Sequence, residues 1–182
     1  LWVARDKAAG RSICCFMLCK AILLIFDTVM HEPFIRKTIQ LAQAAIEKGN
    51  QPFGACLVKD GEILLTAENT IHTNHDKTQH AEANLASAAS QAFDLETLRQ
   101  CTLYTSTEPC AMCAGAIYWA GIGQVVFACS QEAFAEYAGK ALDVPCRLVF
   151  SYGHRSTEVI GPVLEEEAIK VHQRYWSQGD DR

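Results

Sequence analysis

The chain has 182 residues, 49% hydrophobic and 20% charged, which is the size and composition of one compact globular domain with little room for a second. Sixteen Lys and Arg stand against 21 Asp and Glu, a formal charge of −5, and no basic run exceeds two residues, which argues against phosphate tracking as the main role. Nine cysteines, an odd number with several lying singly in apolar runs, do not form the regular framework of a disulfide-stapled secreted domain, and favour free thiols or metal ligands in a reducing compartment.

Residues 1–29 differ from the rest. They carry a charge of +2 against −7 for residues 30–182, and they hold three of the cysteines and the most hydrophobic run of the chain, residues 13–26. That run is too short to span a bilayer, and no small-x-small cleavage site follows it. Met30-His31-Glu32-Pro33 reads as a natural start. The expected organisation is therefore an upstream or non-native extension over 1–29 and one domain over 30–182, with a signal or membrane-surface segment, or an ordinary extra helix, as alternatives for the extension.

Pro33 suits the first turn of a helix that Ile35, Ile39, Ala42 and Ile46 continue at helical spacing up to Gly49. Residues 54–59 and 62–67 are two short apolar segments joined by Asp60-Gly61, a strong hairpin signal. Residues 69–79 are polar and read as a loop, and 80–93 are Ala-rich and helical. Residues 101–106 alternate as a strand, 110–120 return to a helical pattern and 124–129 form a short β-rich run. Strand, helix, strand at this spacing implies a right-handed parallel crossover. Beyond it the pattern predicts a helix over 131–138, a strand over 147–151 and a closing helix over 163–176. The order describes an α/β domain with one mixed sheet covered by helices.

The chemistry-bearing residues are His80-Ala81-Glu82 and, further on, Pro109-Cys110-Ala111-Met112-Cys113. One imidazole and two thiolates are ligands that zinc favours, and three protein ligands leave a fourth tetrahedral position for water, the pattern of a catalytic site. Cys110 and Cys113 share one face at a helix start, where the N-terminus favours the thiolate. Glu82, two residues from a ligand, is placed to move protons between a metal-activated water and a substrate. Taken alone, the C-x-x-C pair reads equally well as small core residues; His80 and Glu82 tip the balance. A structural site completed by Cys101 or Cys129 is the alternative, but both lie in strand-like segments where burial explains them. His72, His75, His154 and His172 read as surface or core histidines, Glu108 as a local turn or cap carboxylate, and Trp119, Tyr175 and Trp176 as core or interface aromatics.

Together with Gln51-Pro52-Phe53-Gly54-Ala55, Asn69, Leu103-Tyr104-Thr105-Ser106 and Glu108 to Ile117, these motifs make residues 34–150 resemble the cytidine-deaminase-like zinc deaminases, in the branch of guanine deaminases and tRNA adenosine deaminases. The resemblance implies a three-layer α/β/α fold with a mixed central sheet of about five strands. It implies one zinc ion per chain on His80, Cys110 and Cys113, with Glu82 as the catalytic proton shuttle. It also implies substrate contacts from Asn69, eleven residues before the motif histidine, and from Phe53 and Ala81. Asp143 is a further candidate, because guanine deaminases carry an Asp pair in a similar downstream loop, although residues 140–146 depart from their pattern.

The reaction so implied is hydrolytic deamination of a free nucleobase or nucleoside with release of ammonia. Guanine or a related aminopurine is favoured, because residues 115–120 resemble that branch and the −7 charge suits a small substrate. Wobble-adenosine deamination in tRNA, cytosine deamination and a non-catalytic partner subunit are the alternatives. Dispersed basic residues count against tRNA, and an intact Glu82 counts against the non-catalytic subunit. The resemblance further implies a homodimer, and the expected setting is cytoplasmic, with no membrane partner.

Overall fold

The structure, a computed structural model, describes residues 29–139, 142 and 144–177. The expected extension, Val29 apart, and Asp143 lie outside the described residues.

Helix α1 (residues 29–47) includes Pro33 near its start and turns Ile35, Ile39 and Ala42 into the core. The hairpin of β1 (Gly54–Lys59) and β2 (Glu62–Glu68) follows. Asp60 and Gly61 both take positive φ, 52° and 80°, as a two-residue turn matched to strand twist requires. Then come α2 (Ala81–Ala92), α3 (Leu95–Arg99), β3 (Thr102–Thr107), α4 (Ala111–Ala120), β4 (Gln124–Cys129), α5 (Gln131–Ala138), α6 (Cys146–Ser151), β5 (Glu158–Ile160) and α7 (Glu165–Trp176).

The five strands form one sheet in the order β2-β1-β3-β4-β5. Strand β1 runs antiparallel to β2 and β3, whereas β3–β4 and β4–β5 are parallel. The inner strands are buried on both faces, so residue parity assigns each side chain to a layer. Leu57, Leu103, Val125 and Phe127 face a core shared with Leu85 and Ala89 of α2, Ala114 and Ile117 of α4, and Phe150 of α6. Cys56, Val58, Tyr104, Val126 and Ala128 face a second core under Ile35 and Ile39 of α1 and Ala168 and Val171 of α7. This is the three-layer mixed-sheet fold that the resemblance implies.

Glycine is required where α1 crosses the start of β1. A Cβ on Gly54 would lie 2.5 Å from Leu41 Cβ and 2.6 Å from the Thr38 carbonyl oxygen. Only a residue without a side chain lets the helix lie this close, and the approach sets the position of Phe53 beside it.

Three segments differ from the sequence expectation. Residues 147–151 belong to a helix, not a strand: Pro145 precedes α6, and Cys146 and Phe150, one turn apart, are both buried. The β-favouring pair Val149-Phe150 imitates a strand, but helical spacing of the two buried residues prevails through tertiary packing. The fifth strand is instead the short β5. Helix α7 begins at Glu165 rather than at 163, because Leu164 takes a left-handed conformation at its N-cap. The short α3 was not foreseen; Asp94 caps it by accepting from the Thr97 N–H at 2.8 Å. Among the described residues no helix is long and apolar enough to cross a membrane.

Candidate active site

Strand β3 ends beside the end of β4, and Gly54 at the start of β1 reaches the same end, its N–H donating to Ser106 Oγ at 3.1 Å. Helices α2 and α4 both begin here. Ligand sites of open α/β sheets characteristically lie at this position, outside the carboxyl ends of the parallel strands. His80 is the N-cap of α2 and Cys110 the N-cap of α4, and neither side chain is spent on capping its helix. Each side chain therefore projects from a helix start, and the positive ends of two helix dipoles converge on one point.

His80, Cys110 and Cys113 offer ligand atoms all within 4.8 Å of one another. Cys110 Sγ lies 3.8 Å from His80 Nδ1. No other group of three His, Cys, Asp or Glu side chains meets in this way among the described residues. The donor set, one ring nitrogen and two sulfurs, fits a zinc ion. The cluster also favours charge separation before a metal arrives. The hydrogen bond from Cys113, followed by that with His80, pulls the Cys110 thiol down to about 4. Cys113 is pushed up as the donor of that pair, and the His80 imidazole is raised by its thiolate neighbour.

Glu82 lies in the first turn of α2 and is only 4% exposed. Burial raises its carboxyl above the usual range, an effect that nearby His80 opposes. Thr105 Oγ1 lies 2.8 Å from Glu82 Oε1 and 3.0 Å from the Thr107 carbonyl oxygen, so β3 fixes the carboxylate from below. The result is a carboxyl group held beside His80 and Cys110 and largely removed from solvent.

A cavity of about 250 Å³ opens over this cluster. His80, Glu82 and Cys110 line one side, and Phe53, Phe134 and Trp176 line the other, with Gln51, Thr107 and Gln131 supplying polar atoms. Phe53 meets Phe134 edge-on at 5.6 Å between ring centres, and Phe134 meets Trp176 at 6.2 Å. A small cavity with aromatic walls and a few polar groups suits a planar small molecule. Glu108 is a capping carboxylate as expected, but of two distant helices: it accepts from the Gln131 N–H at 3.3 Å and the Cys146 N–H at 3.1 Å.

The other substrate-contact candidates divide. Phe53 lines the cavity. Asn69 is fully buried behind it: its N–H donates to the Phe53 carbonyl oxygen and its Oδ1 accepts from Ile71, while its Nδ2 has no partner and the residue is not among those lining the cavity. Ala81 has its side chain buried in the core shared by α2 and the sheet, and it is not among the residues that line the cavity. The methyl group packs inward once His80 occupies the cap position, and only the backbone N–H at the helix start remains for a ligand. Thr105 entered the sequence reading only within the Leu103-Tyr104-Thr105-Ser106 motif, with no role of its own, and Thr107, Phe134 and Gln131 were not singled out. The alternation of Thr105 and Thr107 on the strand leading to Cys110 is a signal for the first two, whereas nothing local marks Phe134.

Residues 28–129, more than half of the chain, match the family described as the cytidine and deoxycytidylate deaminase zinc-binding region. The chain belongs to this family. A probable cytosine deaminase of Schizosaccharomyces pombe is 36% identical over 152 residues, covering 80% of this chain and 92% of the relative. The guanine deaminase of Bacillus subtilis is 37% identical over 141 residues, covering 72% and 90%. The tRNA-specific adenosine deaminase of the same bacterium is 36% identical over 136 residues, covering 75% and 82%. Among solved structures, a guanine deaminase from Nitrosomonas europaea superposes with a TM-score of 0.69 at 24% identity, covering 79% of this chain and 83% of that one, which supports the fold. The relatives so matched are deaminases named for three different substrates, cytosine, guanine and the adenosine of tRNA.

Proposed function

We propose that the protein is a zinc-dependent hydrolytic deaminase of a free nucleobase or nucleoside, with guanine or a related aminopurine as the favoured substrate. The observation that carries this reading is Glu82, a buried carboxylate two residues from His80, facing a small cavity with aromatic walls. His80, Cys110 and Cys113 are assigned as the metal ligands. When bound there, zinc supplies a Lewis acid that brings the pKa of water to about 7. Glu82 takes a proton from the attacking water, delivers it to a ring nitrogen next to the amino-bearing carbon, and returns a second proton to the departing amine, so that ammonia leaves and a carbonyl takes its place. Thr105 keeps the Glu82 carboxylate aimed by its hydrogen bond. Phe53 and Phe134 hold the ring plane, and Asn69, with its unpartnered buried Nδ2, is a candidate to orient a ring edge after a small side-chain rearrangement.

Cytosine is the second reading, favoured by the relative from S. pombe. Ammonia release from guanine, isoguanine, adenine, cytosine, their nucleosides and a tRNA anticodon stem-loop separates these. Turnover of guanine above cytosine is expected; salt-sensitive turnover of the stem-loop alone would move the assignment to tRNA. Release from none of them by protein holding one zinc per chain would overturn the enzymatic reading.

We also place the chain in a homodimer. Support comes from α4, which carries no charged residue and leaves Met112 at 39% and Trp119 at 85% exposure on its outer face. Sedimentation should give a dimer that Trp119→Glu converts to monomer. A cytoplasmic setting suits two thiols that must stay reduced to bind metal; the six described cysteines are all free.

A further inference from the structure

A buried histidine that the chemistry above does not use lies behind the cavity wall. His172, on α7, is 1% exposed. Its Nε2 lies 2.8 Å from Thr107 Oγ1, and its Nδ1 is buried with no partner. The ring packs against Phe134 at 4.9 Å and Phe53 at 5.5 Å, the two rings that wall the cavity. Burial pushes its pKa down to about 4, so at neutral pH the ring is uncharged and carries a single N–H.

The surroundings of the two nitrogens decide where that hydrogen sits. At Nδ1 it would be a buried donor without an acceptor, one of the rarest defects of a folded interior. A bare Nδ1 lone pair among aromatic rings is the milder arrangement. The hydrogen therefore belongs on Nε2, which donates to Thr107 Oγ1. A threonine oxygen that accepts from His172 keeps its own hydrogen for another partner. Thr107 lines the cavity, and no hydrogen bond among the described residues takes that hydrogen.

We propose that Thr107 contacts the substrate and determines specificity, presenting its O–H to the exocyclic oxygen of an oxo base, and that His172 is the positioning residue that fixes this donor direction. This inference rests on the reading of the protein as a nucleobase deaminase. Guanine and cytosine both carry an exocyclic oxygen, whereas adenine does not. A fixed donor at this point attracts a carbonyl and repels an amino group or ring N–H.

Three measurements test it. Nitrogen-15 NMR of the zinc-loaded protein should show His172 protonated at Nε2 and bare at Nδ1; a proton on Nδ1 would overturn the proposal. Steady-state kinetics on the oxo base that the wild type deaminates should show KM raised about tenfold by Thr107→Val with kcat little changed, and near wild-type values for Thr107→Ser. His172→Phe should raise KM in the same direction and His172→Gln, which restores an N–H donor, should recover it. The Thr107→Val/His172→Phe pair should be no worse than Thr107→Val alone. Calorimetric binding of guanine and of 2-aminopurine, which lacks the oxygen, distinguishes contact from packing: Thr107→Val should weaken guanine and spare 2-aminopurine. Equal weakening of both, or unchanged guanine affinity in a folded, zinc-loaded variant, would overturn the proposal. If the wild type turns over no base, the functional reading fails, and the NMR and binding results still decide the role of Thr107; failure of the wild type to bind either base counts against both.

Discussion

The metal-facing side of the cavity and the wall opposite it are assembled in contrasting ways. His80, Glu82, Cys110 and Cys113 come from two short motifs, each placed at a helix start, and their neighbours in sequence are also their neighbours in space. The opposite wall is gathered from Phe53, Phe134 and Trp176 with His172 behind them, positions spread over most of the described chain and held by packing between α5 and α7. One side is defined by ligand chemistry that tolerates no substitute, the other by shape and by one or two directed hydrogen bonds. On the function proposed above, conversion of substrate belongs to the first and choice of substrate to the second.

The largest test of this division is Glu82→Gln. Turnover should fall by about 10²–10⁴, as expected for loss of a general acid–base group, while ammonia-release assays and metal analysis on the same sample show zinc still at one per chain. His80→Ala or Cys113→Ala should act differently, lowering zinc content itself, whereas Cys101→Ser should leave it unchanged; metal analysis after dialysis distinguishes the two outcomes. Retained zinc in Cys113→Ala would break the ligand assignment.

On the opposite wall the effects are on stability and affinity. The folded pKa of His172, about 4, lies below its ordinary value of 6.5, so the unfolded chain takes up the proton first as pH falls. Its contribution is present in full above pH 6.5 and is lost on acidification down to pH 4, amounting to about 3 kcal/mol. Urea midpoints for the wild type should therefore drop more steeply through this window than those for His172→Phe, and parallel curves would show that the ring is not buried as described. The smallest effect is expected at Ser130, whose side chain accepts from the Ala133 N–H at the start of α5 and donates to Glu165 Oε1 at 2.6 Å. Ser130→Ala should cost about 1 kcal/mol and shift KM more than kcat, because it loosens α5 against α7 without touching the metal side.

Sequence legibility follows the same division. The metal cluster could be read because helix starts are short and stereotyped, so that His80-x-Glu82 and Cys110-x-x-Cys113 fix their own local geometry. The hairpin was legible for a similar reason, since Asp60-Gly61 specifies its turn. Of the wall only Phe53 was legible, through resemblance, because Phe134 and His172 acquire their places only when α5 and α7 pack on the second face of the sheet, and no local pattern encodes that contact. The segment over 147–151 was misread because its side chains favour strands while its burial follows a helix. Asn69 was found through resemblance, yet its carbonyl is already committed to Ile71, which local sequence could not show.

Glu108 ties these observations together. Its carboxylate holds the first N–H of α5 and the first N–H of α6, so both of these helix starts are fixed to the residue next to Pro109 and Cys110. A stretch secured at both ends can be lengthened, shortened or exchanged by mutation and recombination without displacing the residues that do the chemistry. If the protein is the deaminase proposed above, residues 132–145 are the natural place to graft sequence from relatives in order to alter which base it accepts.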